Sequence, residues 1–255
     1  MSSKSMQTTP AFLLQKSAFG ESDLILTFFT RDFGKIRGIA KGARASQKRF
    51  GGRLDFFHMA KLFFKPGKHD LALIDSLELV EIASHFHTSL ETFTLGQYCL
   101  ELVRELTQDE HPEMKLFDLL HASLRFFETA ALAPDLVTRF FEINLLDLLG
   151  FRPTLDQCSA CGDEEKQTWR YFSAGRGGVV CEVCKPQVRG QIFALTPELL
   201  GLFSESLRLG RGEGLCDDLK PYLATTKPAQ RVLQACLEEH LRRPLQSLRV
   251  LAALA

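Results

Sequence analysis

The chain has 255 residues, of which 45% are hydrophobic and 24% are charged. This composition excludes a disordered chain and predicts one large domain or two to three small ones. Residues 1–9 are polar and no apolar stretch follows them, so we expect no export signal. No apolar run reaches membrane-spanning length, and an odd number of cysteines, seven, favours a reducing cytoplasm over a disulfide scaffold.

The net charge of zero hides an asymmetry along the chain. Residues 1–80 hold 13 Lys and Arg against 7 Asp and Glu, and residues 81–255 hold 18 against 24. A split of this kind predicts that the N-terminal part meets a polyanion and that the remainder does not.

The first eighty residues show the features of short β-strands. The predicted strands are Pro10–Lys16, Asp23–Thr30, Lys35–Lys41, Leu54–Phe64 and Leu71–Val80. Turn-forming residues separate them at Arg31–Gly34 and Lys65–Lys68. Five strands in about seventy residues predict a small barrel, with the OB-fold as the leading interpretation and an SH3-like barrel as the alternative.

From about Ser84 onward the hydrophobic period becomes helical. The predicted helices cover Leu90–Leu106, Lys115–Ala131, Pro134–Leu149, Thr196–Gly210, Ala229–Leu241 and a last segment from Pro244. The sequence therefore predicts an α+β chain. Its parts are an OB-fold β-barrel at 1–82, an all-α domain at 83–151 and 191–255, and an inserted module at 152–190.

Two Cys-x2-Cys pairs define the inserted module. They are Cys158 with Cys161 and Cys181 with Cys184, separated by residues 162–180. This spacing is typical of two knuckles that hold one structural zinc, Zn2+, in a closed four-thiolate zinc-knuckle site. The alternatives are disulfides, unrelated core cysteines, a site that has lost its metal, or another soft ion. Cys99, Cys216 and Cys236 lie in apolar surroundings and are predicted to be buried.

A basic segment runs from Arg31 to Arg53, with Asp32 as its one acidic residue. The residues predicted to bind DNA are Lys35, Arg37, Lys41, Arg44, Lys48, Arg49 and Arg53. On a barrel face and its adjoining loop, these cations could follow a phosphate backbone. The alternative is a solvated strand face. Phe33 and Phe50 could stack on bases, although burial in the core is the favoured interpretation.

Signatures of enzymes are missing from the sequence. It contains no Gly-x4-Gly-Lys-Ser/Thr loop, no Gly-x-Ser-x-Gly and no His-Glu-x-x-His. We therefore predict no catalytic residue and a non-enzymatic protein. The alternatives left open are an OB-fold nuclease or RNA-modifying factor, and an RNA-binding adaptor.

Three segments carry a resemblance to a known family. Ala11–Leu24, Thr27–Arg44 and Leu148–Pro153 leading into Cys158 resemble the bacterial DNA repair protein RecO family, in an order that extends over about residues 8 to 243. The resemblance implies an N-terminal OB-fold and a helical domain with a zinc-knuckle insertion. Some members lack the four cysteines, so their retention here implies a metal-bearing subtype.

The resemblance also implies a function, that of a mediator of DNA recombination in the cytoplasm, nucleoid-associated during repair. Such proteins bind single- and double-stranded DNA, anneal complementary strands and, with RecR, help RecA replace single-strand-binding protein. Lys35, Arg37, Lys41 and Arg44 lie within the matched motif, whereas the later basic residues rest on the charge argument.

The family resemblance implies one further partner site. The acidic C-terminal tail of single-strand-binding protein docks on the helical domain in this family. The candidates for the rim of that site are Lys227, Arg231, Arg242 and Arg243, with a solvated helix face as the alternative.

Overall fold

The structure is a computed structural model, and it describes residues 5–67, 71–165, 168–214 and 216–254. The predicted turn residue Lys68 lies outside these ranges. Two compact units are formed by Met1–Leu124 with Leu245–Ala255, and by Arg125–Pro244. Because this division falls within the predicted helical parts, the domain limits at 82, 151 and 190 stay predictions.

Five strands of the first unit close into a barrel. They are β1 (Gln7–Phe19), β2 (Asp23–Thr30), β3 (Gly34–Ala40), β4 (Met59–Lys65) and β5 (Ala72–Glu81). The strand order is β1-β2-β3-β5-β4, closed by pairing of β1 with β4. All pairs are antiparallel except β3 with β5. The predicted OB-like barrel is therefore confirmed.

The barrel interior follows the alternation of β3. Ile36 and Ala40 face the core, and Gly38 lies between them because a Cβ there would come within 2.6 Å of the Ile74 side chain. Phe50 is 2% exposed and belongs to this core. Phe33 packs against it and meets Phe64 edge to face at 5.3 Å. Both aromatic residues are thus used for packing.

One predicted strand was too long. The segment Leu54–Phe64 is extended only from Met59 onward. Phe57 has a φ of 72°, which is left-handed backbone and interrupts a strand. The backbone N–H of Phe56 donates to the Asp55 carboxylate at 2.8 Å, a local turn that the periodicity did not reveal.

Helices complete the first unit. They are the short helix α1 (Gln47–Phe50), α2 (Leu90–Leu106) and α7 (Gln246–Leu254). The first part of α3 (Met114–Thr129) also belongs to this unit. Helix α2 has the predicted limits, with the Ser89 hydroxyl accepting from the N–H of Thr92. The outer side of the barrel packs on α3, where Phe117 lies 5.2 Å from Phe12 and 5.9 Å from Phe29.

The second unit combines helices with a small sheet. Its helices are α4 (Pro134–Leu148), α5 (Pro197–Gly210) and α6 (Thr226–Glu238), with a 3-10 helix at Cys216–Thr225. The sheet has the order β7-β6-β8, from β6 (Trp169–Ser173), β7 (Gly178–Cys181) and β8 (Ile192–Ala194). None of these three strands was predicted. No helix within the described ranges is long and apolar enough to cross a membrane.

Candidate metal centre and nucleic-acid interface

The four predicted cysteines come together in the second unit. The Sγ atoms of Cys158, Cys161, Cys181 and Cys184 all lie within 4.8 Å of one another. Cys161 Sγ is 3.9 Å from Cys181 Sγ. A tetrahedral zinc with Zn–S bonds of about 2.3 Å separates its sulfurs by about 3.8 Å, so the arrangement fits such an ion. These four side chains could hold a metal ion.

Backbone hydrogen bonds shape the first knuckle. Gly162 has a φ of 77°, a conformation that favours glycine, and its N–H donates to the Cys158 carbonyl at 2.8 Å. The Cys158 N–H donates to the Asp163 carbonyl at 2.7 Å. The same carbonyl accepts from Nε1 of the buried Trp169 at 3.2 Å. An indole therefore fixes the loop that presents the first pair.

The second pair is presented by the β6–β7 hairpin. This hairpin turns at Gly177, whose φ is 62°, and Cys181 lies opposite Trp169. Thr154 runs beside β7, since its N–H donates to the Gly177 carbonyl at 2.8 Å and its carbonyl accepts from Val179 at 3.0 Å. Sequence reasoning missed this sheet, although the chain's one Trp lies close to the cysteines.

The thiols differ in how readily they ionise. Burial acts to raise the pKa of Cys158, but backbone N–H groups, that of Cys181 at 3.4 Å among them, lower this pKa to about 6. The neighbouring Cys161 and Cys181 side chains raise the pKa of Cys184 to about 12. Several thiols this close resist joint ionisation unless a cation shares them, as in metal thiolate sites.

The basic loop after β3 is fixed to the turn between β1 and β2. The Arg44 N–H donates to the Ser22 carbonyl at 3.0 Å, and its guanidinium donates to the Glu21 carbonyl at 3.2 Å. The Gly42 N–H donates to the Asp23 carboxylate at 2.8 Å. The predicted loop cations are therefore held beside the β1–β2 hairpin.

Lys35 is engaged within the protein. Its ammonium donates to the carbonyls of Arg104 and Thr107 at 2.7 and 2.8 Å, and lies 3.2 Å from the Asp109 carboxylate. Its side chain is 13% exposed. A cation at the C-terminus of α2 complements the helix dipole. The structure thus gives this residue a structural role.

Arg49 and Arg53 shape the loop. Arg49 donates to the Lys41 carbonyl at 2.7 Å and lies over the Phe50 ring at 5.1 Å. Arg53 donates to the Lys48 carbonyl. Their positive charge remains beside the loop, but their hydrogen-bonding groups are partly used.

Three of the predicted cations are exposed and unengaged. Arg37, Lys41 and Lys48 have exposed side chains. Within the described residues, none of the three side chains has a hydrogen bond or an ion pair. These three side chains are free to meet an external anion.

The four rim candidates in the second unit are also exposed. Lys227 and Arg231 lie one turn apart on α6, and Arg242 and Arg243 follow the end of that helix. The structure brings the two residues on α6 to the same side of the helix.

Comparisons with known proteins cover nearly the whole chain. The family model described as "Recombination protein O N terminal" matches residues 1–83, and "Recombination protein O C terminal" matches residues 87–249. The chain is similar to the DNA repair protein RecO of Anaeromyxobacter dehalogenans (strain 2CP-C). They are 35% identical over 94% of this chain and 93% of the relative.

Another relative is similarly complete. The DNA repair protein RecO of Geobacter sulfurreducens is 34% identical over 96% of both chains. The family resemblance predicted from the sequence is thereby confirmed. Two adjoining family models and full-length relatives establish that the chain belongs to the recombination protein O (RecO) family.

Proposed function

We propose that the protein is a non-enzymatic mediator of DNA recombination and repair. In this role it binds single- and double-stranded DNA and anneals complementary strands. With RecR it helps RecA load onto DNA coated with single-strand-binding protein. The observation that carries the proposal is a RecO-family OB-like barrel whose third strand and following loop present the unengaged cations Arg37, Lys41 and Lys48.

The proposed mechanism is electrostatic. Each exposed cation that replaces a counterion on a phosphate adds binding energy that falls as salt rises. Neutralising two DNA backbones lowers their mutual repulsion, which permits complementary strands to pair. No covalent step is needed, so the protein acts stoichiometrically and without nucleotide hydrolysis.

We propose that the four-cysteine cluster holds Zn2+ in a structural role. The cluster joins a loop after Cys158 to the β6–β7 hairpin, two segments about twenty residues apart in sequence. Metal binding to such a set contributes directly to folding. Thiolates persist as ligands in a reducing compartment, which supports the cytoplasmic location that we propose. Association with the nucleoid during repair would follow from the proposed DNA binding.

We further propose that the second unit receives the acidic C-terminal tail of single-strand-binding protein. Lys227 and Arg231 present two exposed positive charges on one side of α6. Exposed basic side chains attract an acidic peptide and speed its association. A variant with Glu at both positions should bind that tail more weakly and still bind naked DNA.

The experiment that tests the mediator proposal is strand annealing across a salt series. Complementary oligonucleotides are first coated with single-strand-binding protein, and the protein is added without nucleotide or magnesium. We expect annealing in proportion to the amount of protein, lost as salt rises. Absence of annealing, with cleavage of the strands once magnesium is added, would instead identify a nuclease.

A further inference from the structure

We propose that the exposed ring of Phe19 is a stacking platform for an unpaired base of single-stranded DNA. The ring lies at one end of the face of β1, β2 and β3 that carries Arg37 and that points away from the barrel core. We call it the outer face. This inference rests on the proposed DNA-binding function and adds the residue that would distinguish an unpaired strand from a duplex.

Strand register places the ring on the outer face. Paired residues of antiparallel strands project to the same side. One such row is Gln15, Thr27 and Arg37, and the next is Ser17, Ile25 and Ile39. The third row pairs Phe19 with Asp23. Lys41 comes directly after β3, whose last residue, Ala40, pairs with Leu24.

The opposite side of these strands is occupied by the barrel core. Leu26 and Phe28 are buried in the core, and Leu24 packs against it. By alternation, the side chains between them face outward. Phe19 is 51% exposed, and within the described residues its ring contacts no other aromatic ring or cation. About half of this side chain is therefore open to an external ligand.

Exposure alone carries little weight, because single apolar side chains are common on protein surfaces. The charges on the same face supply the second observation. Arg37 and Lys41 are exposed and unengaged. Lys41 precedes Gly42, whose N–H donates to the carboxylate of Asp23, the residue paired with Phe19. Lys41 is four residues beyond Arg37, a distance of about 13 Å along an extended chain.

The carboxylate of Asp23, opposite Phe19, is engaged within the protein. Asp23 accepts hydrogen bonds from the Gly42 N–H at 2.8 Å and from the Ser22 hydroxyl at 3.2 Å. These bonds hold the basic loop against the hairpin. This end of the outer face therefore has an aromatic ring and, in the adjoining loop, a free ammonium. Such a combination can take a base on the ring and its phosphate on the cation.

The aromatic residues predicted from sequence cannot serve this purpose. Phe50 is buried in the core, and Phe33 is packed against Phe64. Phe19 escaped notice because it follows the predicted end of the first strand. The structure extends β1 to this residue. Phe19 is thus an exposed aromatic residue of the β1–β2 hairpin, on the same part of the barrel as the unengaged Arg37 and Lys41.

The test measures the affinity of the parent and of three variants for oligo-dT and for a duplex of equal length. The variants are Phe19→Ala, Phe19→Trp and the control Val80→Ala. Val80 is 55% exposed on β5 and has no aromatic ring. We expect Phe19→Ala to weaken oligo-dT binding by roughly 5- to 150-fold, with the duplex changed less than about twofold. Phe19→Trp should retain affinity, and Val80→Ala should match the parent.

Fluorescence gives a second readout of stacking. The chain's one Trp, Trp169, is 3% exposed, so a Trp at position 19 would dominate any change on binding DNA. We expect oligo-dT to quench it and a Trp placed at Val80 to respond little. The stacking role alone would be overturned if Phe19→Ala bound oligo-dT as tightly as the parent while Arg37→Glu still weakened binding. Failure of the parent protein to bind either DNA would overturn the proposed function itself.

Discussion

The carboxylate of Glu101 binds Ser247 across 146 residues of sequence. It accepts from the Ser247 N–H at 2.8 Å and from the Ser247 hydroxyl at 2.6 Å, and also from the Gln246 N–H at 3.0 Å. These are the first N–H groups of α7, so a side chain of α2 caps the last helix. Through this buried cap the C-terminal segment becomes part of the first unit.

Removing the cap should loosen that segment. We expect Glu101→Ala to lower the free energy of unfolding of the first unit by about 1–3 kcal/mol, because two helix N–H groups and a hydroxyl lose their acceptor. Ser247→Ala, which leaves both N–H bonds in place, should cost about 1 kcal/mol. Urea unfolding followed by circular dichroism measures both. Equal stability of Glu101→Ala and the parent would show that the cap contributes nothing to the free energy of unfolding.

The cysteine cluster gives a prediction about metal content. We expect Cys158→Ser to lose one bound zinc per chain and to lower the thermal midpoint, because three remaining ligands hold the ion less tightly. Elemental analysis and a melting curve on the same preparation measure the two effects. Cys216→Ser is the matched control, since Cys216 lies outside the cluster. A metal-free preparation as stable as the parent would contradict the structural role.

Lys35 and Arg37 lie two residues apart on β3 and should behave differently. Lys35→Met removes a cation that holds two carbonyls of the α2 C-terminus, so we expect a loss of about 1–3 kcal/mol in stability. Arg37→Met removes an exposed, unengaged side chain and should change stability by less than about 0.5 kcal/mol. Urea unfolding of both variants and the parent measures these changes in the free energy of unfolding. A larger loss for Arg37→Met would reverse the assigned roles.

The slope of DNA affinity against salt concentration should report how many of the exposed cations contact phosphates. Replacing Lys41 or Lys48 with Ala should reduce the slope of log K against log salt for single-stranded DNA by about 0.7 each, since one phosphate contact is lost. Titrations of labelled oligo-dT at several salt concentrations give the slopes. An unchanged slope for both variants would place the phosphate contacts elsewhere. Equal affinity for RNA of the same length would favour the RNA-binding alternative.

Much of the barrel and the cysteine cluster could be predicted because each leaves a local signal. The alternation of β3 and the spacing of the cysteine pairs are visible in a few adjacent residues. The three-stranded sheet was missed because its strands have five, four and three residues and depend on pairing with one another. Helix α3 ends before its predicted limit because Ala130 has a φ of 50°, which the helical period does not reveal.

Charge in the sequence could not show how each cation is used. Lys35 and Lys41 both fit the alternation of basic and apolar residues around β3. Only tertiary structure shows that the first meets the end of α2 while the second is unengaged. The capping of α7 by Glu101 is equally invisible, because it joins residues far apart in the chain.

Annealing by the double variant Arg37→Glu with Lys41→Glu is the decisive experiment for the proposed DNA-binding face. Complementary strands coated with single-strand-binding protein are mixed with the parent or the variant at low and at moderate salt. We expect the variant to keep the parent's unfolding curve and zinc content but to lose annealing, because its outer face repels the phosphate backbone. A folded variant that anneals as well as the parent at moderate salt would contradict the assignment of the DNA-binding face.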